Sequence, residues 1–293
     1  MPLKSAMLKC AVVLAMLYIG SWSANAQAVT SVRLGLLSAG VEVYSYEISV
    51  LKLALAHADG DYDLTIETLD IPQERALVEL EAGRASFNLF FTGFNADRED
   101  RFRQIDIPLS RGLLGHRVFV TSKDQLQVFA AARTLEDLRS RLVVASGIGW
   151  PDTDIFKAAG FSVVTDDYEI LWNLAGAKRV NAINRGVHEA FVEIRERERT
   201  FPDLVVDPHV MVRYPFDYLF YLRKEDEQLA RAIETGLLRA YETGAFMNNF
   251  RSHPMIQAVI GAAQPSARRL FEIDNPFMSD RQRAIPEVYW HRF

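Results

Sequence analysis

The hydrophobic positions of this 293-residue chain fall into short apolar runs separated by amphipathic stretches. Residues 32–37 form an apolar run that stops at Ser38-Ala39-Gly40, and residues 48–56 then carry apolar side chains at helical spacing. The same patterns predict strands at 64–68, 87–91, 117–120, 142–145, 163–164 and 218–222. They predict helices at 76–82, 135–138, 154–159, 168–175, 190–199 and 226–242.

Strands and helices therefore alternate along the chain, and the order repeats after residue 120. A βαβαβ order favours a mainly parallel sheet with helices on both faces. Two such units in succession predict an α/β protein of two lobes, with crossing segments near Thr121 and Met211. We expect one lobe to comprise residues 27–121 plus 212–293 and the other residues 122–211. Ligands of open α/β sheets lie beyond the carboxyl ends of the strands, so a cleft between the lobes is expected.

The first 26 residues have the pattern of a secretory signal peptide. Lys4 and Lys9 precede an apolar run at 10–19, and Ser23-Ala24-Asn25-Ala26 supplies small residues before a cut after Ala26. The run is too short to span a bilayer. Cys10 lies at the start of the run, where a lipidation cysteine would be misplaced. We therefore expect a periplasmic protein whose mature chain of 267 residues has no cysteine and no disulfide.

Charge and motif content limit the classes of function. Removal of the signal peptide takes two lysines and no acid, so the net charge goes from −5 to −7, which argues against nucleic acid as a partner. The six histidines are widely spaced, so no metal is expected. The sequence contains no G-x-S-x-G, Walker or G-x-G-x-x-G motif, and no cofactor is expected. These observations favour a binding protein over an enzyme.

Two segments suggest a ligand site. In the first, Trp150-Pro151-Asp152 follows a strand and the glycines Gly147 and Gly149, so its backbone amides could face the cleft at a helix start. The alternative is that Asp152 or Thr153 only caps the helix. In the second, Arg185 precedes Gly186 and is either a contact for an anion or polar group or an arginine at a helix start.

Two tyrosines and one arginine of the predicted first lobe could likewise serve either the ligand site or the structure alone. Tyr44 and Tyr46 lie in the first strand-to-helix loop, where they could form a lid or simply pack. Arg75 begins a helix at the same edge, and a solvated position is the simpler expectation for it.

Four segments, in order and spacing, resemble family 3 periplasmic solute-binding proteins, the amino-acid type of ABC transporter component. FTGFNADRE at 91–99 is similar to their ITPER segment, and IDIPL at 105–109 to F-S-x-P. LEDL at 135–138 is similar to s-x-x-D-L, and YLRKED at 221–226 to RK-x-D. GWPDT at 149–153, RVNAINRGVHE at 179–189 and Asn275-Pro276 resemble a proteobacterial branch in which the second of these motifs reads R-F-D-x-F-P-R-G-x-x-E.

The resemblance implies a two-lobed type II periplasmic-binding-protein fold with the ligand between the lobes. It also implies that Arg98, at the position of the ITPER arginine, pairs with a ligand carboxylate, whereas the bland alternative is a surface arginine among acids. Thr92 is the one hydroxyl in its segment. Glu189 and Glu193 are the candidates for the acid that meets a ligand ammonium, and neither aligns well, which counts against an α-amino acid.

The residues expected to contact the ligand are Arg98, Arg185, Trp150, Asp152, Thr92, Glu189 and Tyr44. The function expected is capture of a small polar ligand, anionic or amino-acid-like, by a monomer that presents it to a membrane permease. One alternative is an extracytoplasmic sensor that acts on a receptor. Another is an enzyme resembling cyclohexadienyl dehydratase, with Glu189 as the group that removes a proton.

Overall fold

The structure, a computed structural model, describes residues 29–37 and 40–291. The predicted signal peptide lies outside these residues, so its assignment and the periplasmic location stay predictions. Within the described part of the chain, no helix combines the length and apolar character needed to cross a bilayer.

Twelve strands and thirteen α-helices make up this part of the chain. The strands are β1 (Thr30–Leu37), β2 (Tyr62–Leu69), β3 (Phe90–Gly93), β4 (Arg103–Ile105), β5 (His116–Ser122), β6 (Val143–Gly147), β7 (Ser162–Asp166), β8 (Ala182–Gly186), β9 (Leu204–Val206), β10 (Val210–Arg213), β11 (Tyr218–Leu222) and β12 (Arg269–Glu272). The helices are α1 (Gly40–Val43), α2 (Ser45–His57), α3 (Gln73–Glu81), α4 (Ala96–Arg101), α5 (Leu126–Ala131), α6 (Leu135–Arg139), α7 (Pro151–Ala158), α8 (Tyr168–Gly176), α9 (Ala190–Arg197), α10 (Glu227–Glu242), α11 (Ala245–Ser252), α12 (Pro254–Ala258) and α13 (Asp280–Arg283).

The strands of the first lobe form a two-stranded sheet, β1-β2, and a three-stranded sheet in the order β3-β11-β4, and the two together are called the first sheet. β1 and β2 pair in parallel, and a parallel bridge from Leu34 to Leu89 connects β1 to the segment that leads into β3. β11 pairs antiparallel with both β3 and β4, so it runs against the other strands. The helix α10 packs on α2 beside this sheet, where Gly236 approaches the backbone of Ala54 so closely that a Cβ would lie 1.9 Å from its carbonyl oxygen.

The second sheet has seven strands in the order β12-β10-β5-β8-β6-β7, with β9 on the other part of β5. β5 runs antiparallel to β8, β9 and β10, whereas the remaining pairs are parallel, so six strands run one way. Every residue of β5 is buried. The architecture is the expected mixed α/β arrangement of mainly parallel strands flanked by helices.

The sheets differ from the predicted lobe boundaries in two places. Thr121 and Met211, expected in crossing segments, lie within β5 and β10 of the second sheet. β12 also joins this sheet through parallel pairing with β10, although the predicted first lobe includes residues 269–272. The apolar run of β5 predicts a buried strand, but the sheet it joins depends on pairing with β8 and β10, which the local pattern does not contain. The residue-level division into lobes stays a prediction.

Several local predictions also need correction. α7 begins at Pro151, three residues before the predicted start, because proline suits the first helical position. Residues 182–186 form β8, so Arg185 lies in a buried strand and not at a helix start. Tyr46 lies inside α2, buried against Phe250, so it is a packing residue.

Candidate functional site

A cavity of about 370 Å³ lies between the two sheets. The first lobe contributes the start of α3, the end of β3 and the start of β11, and the second lobe contributes the ends of β6 and β7, the starts of α7 and α8, and β8. The ends of parallel strands from both lobes thus meet at one cleft, as open α/β sheets require.

Six of the seven residues expected to contact a ligand line this cavity: Thr92, Tyr44, Trp150, Asp152, Arg185 and Glu189. The seventh, Arg98, is not among the lining residues. The arrangement brings the expected residues together, and their role in ligand binding stays a prediction.

The Trp150 turn forms one wall. The indole of Trp150 lies on Gly147, where a Cβ would be 2.2 Å from its Cε2 atom, so glycine is required there. The amide nitrogens of Ile148 and Trp150 donate to the carbonyls of Asp166 and Gly147, each over 3.2 Å. These two amides are therefore already hydrogen-bonded within the protein. Fewer backbone donors remain for an anion than the sequence predicts.

Asp152 is not a helix cap. Trp150 occupies the N-cap position of α7, and no side chain caps it. Asp152 is buried, accepts a hydrogen bond from the hydroxyl of Tyr214, and lies 3.2 Å from Nη1 of Arg117. Thr153 donates to the carbonyl of Gly147 over 2.8 Å. Asp152 thus balances the buried charge of Arg117, which also lines the cavity.

Arg185 is held by two carboxylates and two aromatic rings. Its Nε and Nη2 atoms donate to the two carboxylate oxygens of Glu193 over 2.7 and 2.6 Å, and Nη2 lies 3.1 Å from Oε2 of Glu189. Its guanidinium carbon lies 4.9 Å from the centroid of Trp150 and 5.5 Å from that of Tyr168. Two buried acids therefore more than balance the charge of this arginine.

Glu189 joins the lobes at the base of the cavity. Its Oε1 atom accepts from the Tyr218 hydroxyl over 2.5 Å, and Oε2 accepts from the Gly186 amide over 2.9 Å. Burial alone would raise the pKa of Glu189, but the charges of Arg185, His188 and Arg117 outweigh it and lower the pKa to about 2. The group is therefore ionised at neutral pH.

His188 makes a second contact across the lobes. Its Nε2 atom lies 3.1 Å from Oε1 of Glu47 in α2, and both side chains are fully buried. Burial opposes protonation of His188, but the hydrogen bond and charge of Glu47 raise its pKa above the ordinary value.

Tyr44 packs at the first-lobe side of the cavity. It precedes α2 and lies against Phe91 and Tyr218, with ring centroids 5.2 and 6.4 Å apart. Burial raises its pKa well above the ordinary value. With only 8% of its surface exposed, it forms part of the wall rather than a free lid.

Arg98 bridges the two lobes next to the cavity. Its Nη1 atom donates to the Thr92 hydroxyl over 2.8 Å and to the Gly93 carbonyl over 2.5 Å. Its Nη2 atom donates to Glu74 and to the carbonyl of Gly149, each over 2.9 Å. The side chain is 1% exposed, so it is neither a surface arginine nor a guanidinium left open for a carboxylate.

Four acidic side chains, Asp70, Asp166, Asp167 and Glu169, also line the cavity and form what we call the acidic rim. Glu169 pairs with Arg197 over 2.6 Å. Within the described residues the other three have no ion pair with a cation. Arg75, by contrast, points to solvent with its side chain 63% exposed and pairs with Glu79, as expected of a solvated position.

The sequence prediction missed Arg117 and the acidic rim. Arg117 is a single charged residue at the start of an apolar strand, which is a usable signal for a buried ion pair. Asp70 follows β2, Asp166 is the last residue of β7, and Asp167 follows it, so these positions at strand ends could have indicated the cleft. In the described part of the chain, no three His, Cys, Asp or Glu side chains are grouped so as to hold a metal ion.

No protein-family model and no curated protein matches this sequence. Solved structures match its fold. An amino-acid ABC transporter substrate-binding protein, AbpA from Streptococcus pneumoniae bound to L-arginine, superposes with a TM-score of 0.53 at 14% identity, over 78% of this chain and 96% of AbpA. The two-lobed α/β fold of such binding proteins is the fold of this chain.

Two other solved structures share that fold. One is the ancestral amino-acid-binding protein AncCDT-1, a precursor of cyclohexadienyl dehydratase, with a TM-score of 0.54 at 14% identity over 75% of this chain and 93% of its own. The other is a histidine kinase sensor domain similar to periplasmic binding proteins, with a TM-score of 0.53 at 15% identity over 76% of this chain and 94% of its own. At these identities the likeness concerns the fold.

Proposed function

We propose that this chain is an extracytoplasmic solute-binding protein whose lobes close over a small amino-bearing solute and present it to a membrane permease. The observation that carries the proposal is the 370 Å³ cavity between two sheets, lined by polar and aromatic groups of both lobes. Contacts that cross the cleft, such as Arg98 to the Gly149 carbonyl, support a hinge motion that opens and closes it.

The geometry gives less support to an anionic ligand. The guanidinium groups of Arg98, Arg185 and Arg117 all donate to protein acceptors, and the last two each face a buried carboxylate. An anion would have to displace these acceptors. An amino-bearing solute needs no such rearrangement, since its ammonium can approach acids and aromatic faces directly.

The test is a thermal-shift screen of the purified protein against amino acids, dicarboxylates and small amines. A solute present at about a hundred times its dissociation constant stabilises the folded state by about 2.7 kcal/mol, which raises the melting temperature measurably. Absence of any shift across the panel would count against solute capture.

A sensory role is the second candidate, since a histidine kinase sensor domain has the same fold. Both roles start with solute binding and differ in the partner. Affinity purification with intact inner membranes separates them, because a permease is recovered in one case and a kinase or cyclase receptor in the other.

The dehydratase alternative depends on Glu189 as a base. Its pKa of about 2 and its hydrogen bonds to Tyr218 and Gly186 make it a weak proton acceptor at neutral pH. An assay with prephenate and arogenate, using Glu189→Gln as control, tests this candidate directly. Turnover that disappears in the variant would favour the enzyme over the binding protein.

A further inference from the structure

The residues that line the cavity carry an excess of negative charge. Six of them are acidic, namely Asp70, Asp152, Asp166, Asp167, Glu169 and Glu189, and two are basic, Arg117 and Arg185. Asp152 balances Arg117, and Arg185 faces Glu189 and also Glu193 behind it. The positive charges in the wall are thus balanced before any solute enters, while three of the four acids of the rim lack a cation.

Aromatic rings give a second, independent indication. Five aromatic side chains line the same cavity: Tyr44, Trp150, Tyr168, Phe216 and Tyr218. Trp150 and Tyr168 each lie within 5.5 Å of the guanidinium carbon of Arg185, and Arg197 lies 5.0 Å from Tyr168, so these two rings already take part in cation–π contacts within the protein. Rings beside carboxylates are a common way to bind ammonium groups.

The wall also limits what a carboxylate could contact. Arg98, the arginine best placed in sequence to hold one, is used for the bridge to Gly149. Arg185 has Nε and Nη2 bonded to Glu193. A carboxylate near it would meet the like charges of Glu189 and Glu193 as well.

Apolar groups lie at the mouth of the cavity. Ile71 and Ile148 both line it and are 37% and 53% exposed. Ile71 follows Asp70, and Ile148 precedes the Trp150 turn, so an apolar surface lies beside the acidic rim. An aliphatic chain that carries an ammonium group would cover this surface when it binds.

From these observations we propose that the solute is a cationic amine without a carboxylate, with its ammonium group at the acidic rim and aromatic wall and its aliphatic part against Ile71 and Ile148. The inference rests on the proposed function, because it names the class of solute for the same cavity. The proposed solute differs from an amino acid in one respect, which is that the site binds its amine and gains no binding energy from a carboxylate.

The experiment compares matched probes by isothermal titration calorimetry. L-Arginine and agmatine share a guanidinium chain and differ by the carboxylate, and L-lysine and cadaverine form a second such pair. We expect each decarboxylated probe to bind at least about tenfold more tightly than its amino acid, since it avoids a buried like-charge contact. L-Glutamate is expected not to bind.

Substitutions in the acidic rim test which carboxylates bind the ammonium group. Asp166→Asn and Asp167→Asn should each weaken agmatine binding about two- to fivefold, because they remove partly screened attractions. The matched control is Asp63→Asn, an exposed aspartate in β2 that does not line the cavity. Added salt should weaken binding to the native protein and do so less for the double variant Asp166→Asn/Asp167→Asn.

Each outcome separates the two proposals. Tighter binding of L-arginine or L-lysine than of its decarboxylated partner overturns the inference, as does binding of L-glutamate, while solute capture stands. Equal agmatine binding in the rim variants and in Asp63→Asn also overturns it. If no amine, amino acid or dicarboxylate binds, the proposed function fails and the inference fails with it.

Discussion

Arg98 and Arg185 look alike in sequence, as arginines in two separate segments expected at one cleft, yet the structure uses them differently. Arg98 donates to two backbone carbonyls, a hydroxyl and the half-exposed Glu74, and it reaches across to the other lobe. Arg185 stays within its own lobe, where Glu189 and Glu193 surround it with buried negative charge. One arginine forms a breakable bridge and the other a fixed internal counter-charge.

The difference follows from whether the acceptors of each arginine can bond to water once the contact is broken. If the bridge opens, the Gly149 carbonyl can bond to water while Arg98 keeps its contacts with Thr92, Gly93 and Glu74, so little is lost. If Arg185 is removed, two carboxylates remain buried without a counter-charge, which is far more costly. Burial of the acceptors, rather than burial of the arginine, thus decides which arginine can move.

The largest expected effect comes from Arg185→Met. Loss of the counter-charge should lower the free energy of unfolding by about 3–5 kcal/mol, because Glu189 and Glu193 are left buried and charged. The measurement is urea denaturation of the variant beside Arg75→Met, whose exposed ion pair should contribute less than about 1 kcal/mol. Similar losses in the two variants would contradict the assignment of Arg185 as a counter-charge.

The next effect is a dependence on pH through Glu189. Its folded pKa of about 2 lies below the ordinary value of 4.5, so the stabilisation is complete above that value and is lost as the pH falls toward 2. The loss amounts to about 3 kcal/mol.

The measurement compares urea unfolding of the native chain and Glu189→Gln between pH 6 and pH 2. Glu189→Gln should be less stable than the native chain at pH 6, and the difference in free energy of unfolding should narrow as the pH falls to 2. A constant gap would show that Glu189 titrates at its ordinary value.

The smallest effect on stability is expected for Arg98→Met, at about 2 kcal/mol, since Glu74 and the Gly149 carbonyl regain water while the buried Thr92 hydroxyl and Gly93 carbonyl lose a donor. Its effect on shape should be larger. Without the bridge to Gly149, the solute-free protein should have a greater radius of gyration by small-angle X-ray scattering.

The control is Arg101→Met in the same helix. Arg101 pairs with Glu74, Glu81 and Asp97, which all belong to the first lobe. Identical scattering from both variants and the native chain would show that Arg98 does not hold the lobes together.

Much of the fold could be predicted because its signals are local. The stripe of Leu229, Ile233 and Leu237 predicts the helix that the structure has as α10, and the run 218–222 matches β11 residue for residue. β8 was missed, since Asn184 and Arg185 break its apolar pattern while being buried. Polar residues in a buried strand are supported by partners from distant segments, and local reasoning does not include those partners.

The same limit applies to the site. Position after a strand end was enough to indicate that Trp150 lies at the cleft, whereas Thr92 was expected there from the family resemblance. What each side chain does there depends on neighbours remote in sequence. Arg98 meets the Gly149 carbonyl 51 positions away, and Tyr218 meets Glu189 29 positions away. The first pairing uses an arginine expected to bind an anion, and the second uses an acid expected to meet an ammonium group, so both side chains make contacts within the protein instead.

The Gly149 carbonyl has a consequence for kinetics. It accepts from Arg98 and also from Gln73 over 3.3 Å, at a backbone φ of 74° that favours glycine, and a Cβ there would lie 2.5 Å from Glu74. On the proposed function, a solute leaves only after these donors let go. The rate at which the solute leaves then depends on the bridge as well as on the contacts in the wall, so a permease that separates residue 149 from Arg98 releases the solute without competing for those contacts.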